Sequence, residues 1–184
     1  MKHFIIILLL FSLISISSAE VQSTVSIDNL AIDKESIAIT HIKIEANDAS
    51  GLSAATIKVS FNPNIVQLLN IENGDFDAYI HNINNELGYV IMVAYQMSFD
   101  GVQPGSIQFA DLELKAVGVE GSESALSIEV DSITNNTGIL VPYQIKNGIF
   151  RINGEPPKEN IIMSSFSSQD KLEVTSDGNE EHDI

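Results

Sequence analysis

The chain has no cysteine and no tryptophan among its 184 residues. Without cysteine there is no disulfide framework, no zinc–thiolate site, no thiol nucleophile and no lipid on an N-terminal cysteine. Without tryptophan, and with aromatics at 7%, the flat strips on which sugar rings stack are scarce. Positive charge is also short: nine lysines and arginines stand against 25 acids, a net charge of −16. Nucleic acid is a poor partner for such a surface, because phosphate binding needs clustered cations, and anionic membranes are disfavoured on the same ground. The acid surplus fits a soluble extracellular protein, for which calcium is an obvious counter-ion and solubility an equally good reason.

Long apolar runs are absent except for one, Phe4 to Ser17 (FIIILLLFSLISIS), which follows the short basic start Met1-Lys2-His3 and precedes Ser17-Ser18-Ala19. This three-part layout is that of a secretory signal peptide, residues 1–19, cleaved after Ala19. The run is shorter than the roughly 20 residues of a spanning helix, so the expectation is a secreted, extracellular chain, free or associated with a cell surface. Residues 155–184 hold eight acids, two lysines, several serines and Pro156-Pro157. That composition supplies little core and is expected to be an acidic disordered tail or linker.

Between these segments, residues 20–154 are expected to form one domain, large enough to bury a core without staples. Short strands alternate with turn residues: Thr24–Leu30, Ser36–Ala46, Ser53–Phe61, Val66–Glu72, Tyr89–Met97, Ser106–Val117, Ser124–Ile133 and Asn147–Asn153. Asn73-Gly74, Asp100-Gly101, Pro104-Gly105 and Asn135-Asn136-Thr137-Gly138 mark turns between them. Eight or nine short strands with no long amphipathic helix predict an all-β sandwich. Ile57, Val59 and Phe61 are predicted to point inward, with Thr56, Lys58 and Ser60 outward. Bringing Ile37, Ile39, Ile42 and Ile44 onto one face needs a bulge at Thr40-His41, and Phe109, Leu112 and Leu114 need another near Ala110-Asp111.

Catalytic signatures are missing: no GxSxG, no HExxH and no glycine-rich phosphate loop. His41 and His81 read as ordinary strand or surface residues. Asp75 with Asp77, and Asp111 with Glu113, are the nearest to a glycosidase carboxylate pair, and solvated acids are the simpler account. The expectation is no enzyme and no cofactor. Asn73, Asp75 and Asp77 place oxygen ligands in one loop, but the spacing of a helix–loop–helix calcium site is absent, so no metal is assigned. Asn135-Asn136-Thr137 is an N-x-T sequon, which marks Asn135 as a glycosylation acceptor on an exposed turn.

One ordered set of motifs carries more information. The strand GLSAATIKVSF (Gly51–Phe61) runs into Asn62-Pro63-Asn64-Ile65-Val66-Gln67-Leu68, and the turn Ile71–Phe76 follows. Tyr89–Ala94, Pro104–Lys115 and the closing Asn147–Ile152 come in the same order and spacing as the strands of cohesin domains, so the segment from Val25 to Ile152 resembles that family. The resemblance implies a nine-stranded jelly-roll β-sandwich related to carbohydrate-binding modules. It further implies a flat sheet face that docks a dockerin, a small helical domain bringing its own calcium, in an extracellular and in some cases polysaccharide-degrading assembly. Family contact positions match Ala54 and Thr56, with Met92 and Tyr95 on the central strand, and Lys58 continues the same outward row. Type I members usually carry polar or acidic residues at the two earlier positions, so alanine and threonine leave the partner class open. Two alternatives stay open beside dockerin binding: a carbohydrate-binding module of the same fold, and a cell-surface adhesion or structural sandwich.

Overall fold

The computed structural model describes residues 22–98 and 101–155; the expected signal peptide and residues 156–184 of the expected tail lie outside them. The described residues hold eleven strands and no helix. In chain order they are β1 (Ser23–Ile27), β2 (Leu30–Ile32), β3 (Ile37–Ala46), β4 (Leu52–Ser60), β5 (Val66–Asn73), β6 (Ala78–Asn84), β7 (Tyr89–Tyr95), β8 (Gly105–Ala116), β9 (Glu123–Asn135), β10 (Tyr143–Lys146) and β11 (Gly148–Ile152).

Two sheets form a jelly-roll sandwich, one ordered β10-β1-β3-β8-β5 and the other β2-β11-β9-β4-β7-β6. The count exceeds the nine strands expected because β2 and β10 are short edge pieces of three and four residues. They pair parallel with β11 and β1. Period-2 alternation decides which side chains meet between the sheets. Ile57, Val59 and Phe61 enter the core together with Val90, Met92 and Ala94 of β7 and Leu126, Ile128 and Val130 of β9. From the opposite sheet come Ile42, Ile44, Ile107, Phe109, Leu112 and Leu114. Phe76 meets Phe109 edge-to-face, with ring centroids 5.9 Å apart.

The bulge expected at Thr40-His41 is not there. In β3 the inward row is Thr40, Ile42, Ile44 and Ala46, which alternates cleanly, and Ile37 and Ile39 face solvent. The irregularity lies across from it: the β3–β8 register slips at Ile42/Lys43, so Phe109 and Ala110 of β8 are both buried. That agrees with the break expected near Ala110-Asp111, and it re-aims β8 so that Phe109, Leu112 and Leu114 share the core.

The Asn62-Pro63-Asn64 corner carries the chain from β4 in one sheet to β5 in the other. Asn62 organises it: its side-chain oxygen accepts from Asn64 N at 3.0 Å, and its carbonyl accepts from Ile65 N and Val66 N, both at 3.0 Å. Ser124 Oγ accepts the Asn62 amide at 2.8 Å, tying the corner to β9. Gly88 packs against it at φ +68°, where a β-carbon would lie 2.2 Å from the Phe61 carbonyl oxygen, so only glycine fits.

Candidate docking face

The outer face of β9-β4-β7-β6 is built by the residues that the core alternation leaves over. Antiparallel register sets Ala54 beside Tyr95, Thr56 beside Val93, Lys58 beside Ile91 and Ser60 beside Tyr89. On the far side of β7, Ile80 lies opposite Val93 and Asn82 opposite Ile91. On the near side, Thr134, Ser132 and Glu129 of β9 pair with Ala54, Thr56 and Lys58, and a register shift leaves Asp131 as the extra residue. The result is an apolar strip bordered by acids. Ile80 is 64% exposed, and Ile91 and Tyr95 are each 38% exposed.

Lys58 does not stand free on this face. Its ammonium donates to Glu129 Oε2 at 3.1 Å and sits 5.7 Å from the centre of the Tyr89 ring. Both charged partners are substantially exposed, so the pair adds little stability. It does remove the one cation from the strip. A shallow depression of about 300 Å³ lies over this spot, lined by Thr56, Lys58, Ile91, Glu129 and Asp131.

Four of the five residues expected to touch a partner share this face: Ala54, Thr56, Lys58 and Tyr95. Met92 does not. It is 1% exposed and packs in the core opposite Ile57 and His81. Met92 is three residues from Tyr95, an odd step, and a strand turns odd steps to opposite faces. The outward neighbours are Ile91 and Val93, and the parity of Tyr95 alone was enough to find them. Ile80 escaped notice because β6 itself was not recognised.

Asn135 also departs from expectation. It is 4% exposed, and its amide nitrogen donates to Asp48 Oδ2 at 3.0 Å. Its oxygen accepts from Thr137 N (3.1 Å), Thr137 Oγ1 (2.7 Å) and Ile139 N (3.0 Å). The nitrogen that a glycan would occupy is committed inside the fold, so Asn135 pins a loop and is not an exposed acceptor. Asp48 accepts from Ser50 N at 2.8 Å as well. The Ser50 backbone N–H, and after it the Asn135 amide, hold the Asp48 carboxyl below its ordinary value.

Three of the other acids weighed for chemistry, Asp75, Asp77 and Asp111, are likewise engaged. Asp75 Oδ2 accepts from Gln108 N at 2.7 Å, and Asp77 Oδ2 accepts from Met97 N at 2.8 Å. The two carboxylates therefore fasten different strand ends. His41 Nδ1 and Asp111 Oδ1 lie 2.6 Å apart on the opposite sheet, where Glu113 follows on the same outward row. Among the described residues no group of three or more His, Asp or Glu side chains is placed to hold a metal ion, and no helix is long and apolar enough to cross a membrane.

No family model and no curated protein matches the sequence. Solved structures do match the fold. The sixth cohesin of scaffoldin B from Acetivibrio cellulolyticus, solved in complex with the Cel5 dockerin, superposes with a TM-score of 0.64 at 16% identity, over 72% of this chain and 99% of that one. The OlpC cohesin of Clostridium thermocellum, solved in complex with the dockerin Doc435, gives 0.65 at 13% identity, over 72% and 94%. The fold is that of a cohesin domain. A non-cellulosomal cohesin from the hyperthermophilic archaeon Archaeoglobus fulgidus shares the cohesin fold as well, with a TM-score of 0.62 at 15% identity over 72% and 92%. At these identities the likeness fixes the architecture, and the side chains on the face decide what the cohesin fold carries here.

Proposed function

We propose that the chain is a secreted, non-catalytic docking module that binds a dockerin-bearing partner through the outer face of β9-β4-β7-β6. One observation carries the reading. Ile80, Ile91, Val93 and Tyr95 form an apolar strip on the outer face of β7 and β6, in a sheet whose fold is shared with cohesins solved in complex with dockerins. On the opposite sheet the exposed Ile37 and Ile39 lie beside Lys115 and Glu113 of β8, and polar pairs interrupt the face: Lys43–Asp28 at 2.9 Å, Lys115–Glu35 at 3.0 Å and the His41–Asp111 contact at 2.6 Å. A strip of rigid strand residues presents its side chains at small entropic cost, and a few buried anchors carry most of the affinity in such interfaces.

Alanine at 54 and threonine at 56 leave few hydrogen-bonding groups on β4, so Ile91, Val93, Ile80 and Tyr95 act as anchors and Glu129 and Asp131 form a polar rim. Tyr89 and Tyr95 lie at opposite ends of β7, about 20 Å apart, which is too far for a continuous sugar-stacking platform. Calcium belongs to the partner in this reading. Isothermal titration with calcium-loaded dockerin modules encoded in the same genome tests it: binding is expected with calcium and lost on chelation. Failure of every dockerin to bind, or binding indifferent to chelation, would overturn the proposal.

A further inference from the structure

The two sheets end in four edge strands, β2, β10, β5 and β6. An edge strand exposes unpaired main-chain groups that invite another strand, and proteins blunt such edges by shortness, proline, charge or bulges. Three of the four are blunted here. β2 has three residues. β10 has four, follows Pro142 and ends on Lys146. β5 is bulged between Leu68 and Asn70 and carries Glu72. The Asn85 side chain caps β5 like a short strand, accepting from Leu68 N and donating to Leu68 O, both at 2.9 Å, and Tyr79 donates its hydroxyl to Ile71 O.

β6 has none of these devices. Its seven residues, AYIHNIN, hold no proline, glycine, lysine, arginine or acid, and pair with β7 in unbroken register. Among the described residues no side chain is hydrogen-bonded to its main chain. Ile80, next to its central residue His81, is 64% exposed.

We infer that β6 is a self-association edge, on which β6 of a second copy adds in antiparallel register about a two-fold axis at His81. The strand is complementary to itself in that register. Tyr79 pairs with Ile83 of the second copy, twice by symmetry, giving two aromatic–aliphatic cross-strand contacts of the favourable kind. Ile80 pairs with Asn82 of the second copy, also twice. A chain of net charge −16 repels its own copies, and β6 adds no charge of its own to that repulsion, since no charged residue falls between Asp77 and Glu86. The two-fold axis stands normal to the sheet, so twelve strands become continuous and both outer faces point the same way. Such a dimer presents two copies of the face to one bivalent partner. The buried area of a single strand pair makes it a transient association.

Analytical ultracentrifugation of the full chain, produced in an exporting host, tests this across a concentration series at low and high salt. The expected result is a monomer–dimer equilibrium that strengthens with salt, because salt screens the acidic repulsion. Amide exchange in residues 78–84 should slow as concentration rises, with β2, β10 and β5 unchanged. Ile80→Lys and His81→Glu are each expected to weaken the dimer about tenfold or more, whereas Ile39→Lys on the other sheet leaves it alone. Ile80→Lys lowers the net negative charge, so a weaker dimer cannot come from general repulsion. Thermal melting checks that both variants fold, and if one does not, the wild-type exchange data decide. A chain monomeric throughout, or a dimer whose constant neither variant moves, would overturn the inference.

Discussion

Ile91 and Met92 are sequence neighbours that should separate docking from stability. Met92 is 1% exposed, between Ile57 on β4 and the β6 edge. Met92→Ala removes three heavy atoms from a filled core and should cost about 2–5 kcal/mol, the range for buried methionine truncations. At about 4 °C per kcal/mol for a domain of this size, the melting temperature falls by about 8–20 °C. Ile91 is 38% exposed on the outer face, with Lys58 and Asn82 as its cross-strand neighbours. Ile91→Ala should therefore change stability by less than about 1 kcal/mol. Its effect should appear in partner affinity, about tenfold or more if Ile91 is an anchor. Urea unfolding followed by circular dichroism, with unchanged m-values, supplies the stabilities. A Met92→Ala loss under about 1 kcal/mol, or an Ile91→Ala loss as large as that of Met92→Ala, would refute the facing of β7 and with it the composition of the face.

Two further expectations concern residues at a strand end and in the loops that flank the strands. Asn135→Ala deletes one donor and an oxygen that serves three donors, and should cost about 2–4 kcal/mol in denaturant unfolding; a change within error would mean that water replaces these bonds freely. Asp48 and Glu35 both titrate below their ordinary values in the folded chain, Asp48 through the Ser50 N–H and Asn135, Glu35 through hydrogen bonding and charge from Lys115. Depressed carboxyl pKa values stabilise the fold above the unfolded values near 4 and lose that contribution as pH falls through the folded ones. The melting temperature should therefore decline below about pH 4, and Asp48→Asn should flatten part of the decline; an identical acid profile in the variant would contradict the assignment.

Much of the architecture was legible because it rests on alternation. The strand Ser53–Phe61, its Asn-Pro corner and the Leu126–Ile128–Val130 row show period 2 without interruption, and each lies as the pattern indicates. Ile37 and Ile39 misled because hydrophobicity alone does not assign a face: both are apolar, and Thr40 takes the inward site, hydrogen-bonded to Asp28 O at 3.0 Å. β6 was illegible for a related reason. As an edge strand it is half covered on one side only, so Tyr79, His81 and Ile83 on one face and Ile80, Asn82 and Asn84 on the other show no contrast of polarity. β2 and β10 are too short to carry a period. Asn135 looked like an exposed sequon because a three-residue motif says nothing of burial, and its partner Asp48 is 87 residues away. Tyr89–Ala94 is apolar on both faces, so hydrophobicity left Met92 ambiguous. The step of three from Tyr95 resolves it.

The central claim is that a partner covers the outer face of the six-stranded sheet. Amide hydrogen exchange of the full chain, free and saturated with a calcium-loaded dockerin, tests it most directly. The account predicts slowed exchange in β4, β7 and β6 and in β9 around Glu129–Ser132, with β3 and β8 unchanged. Protection on β3 and β8, or on neither sheet, would contradict it.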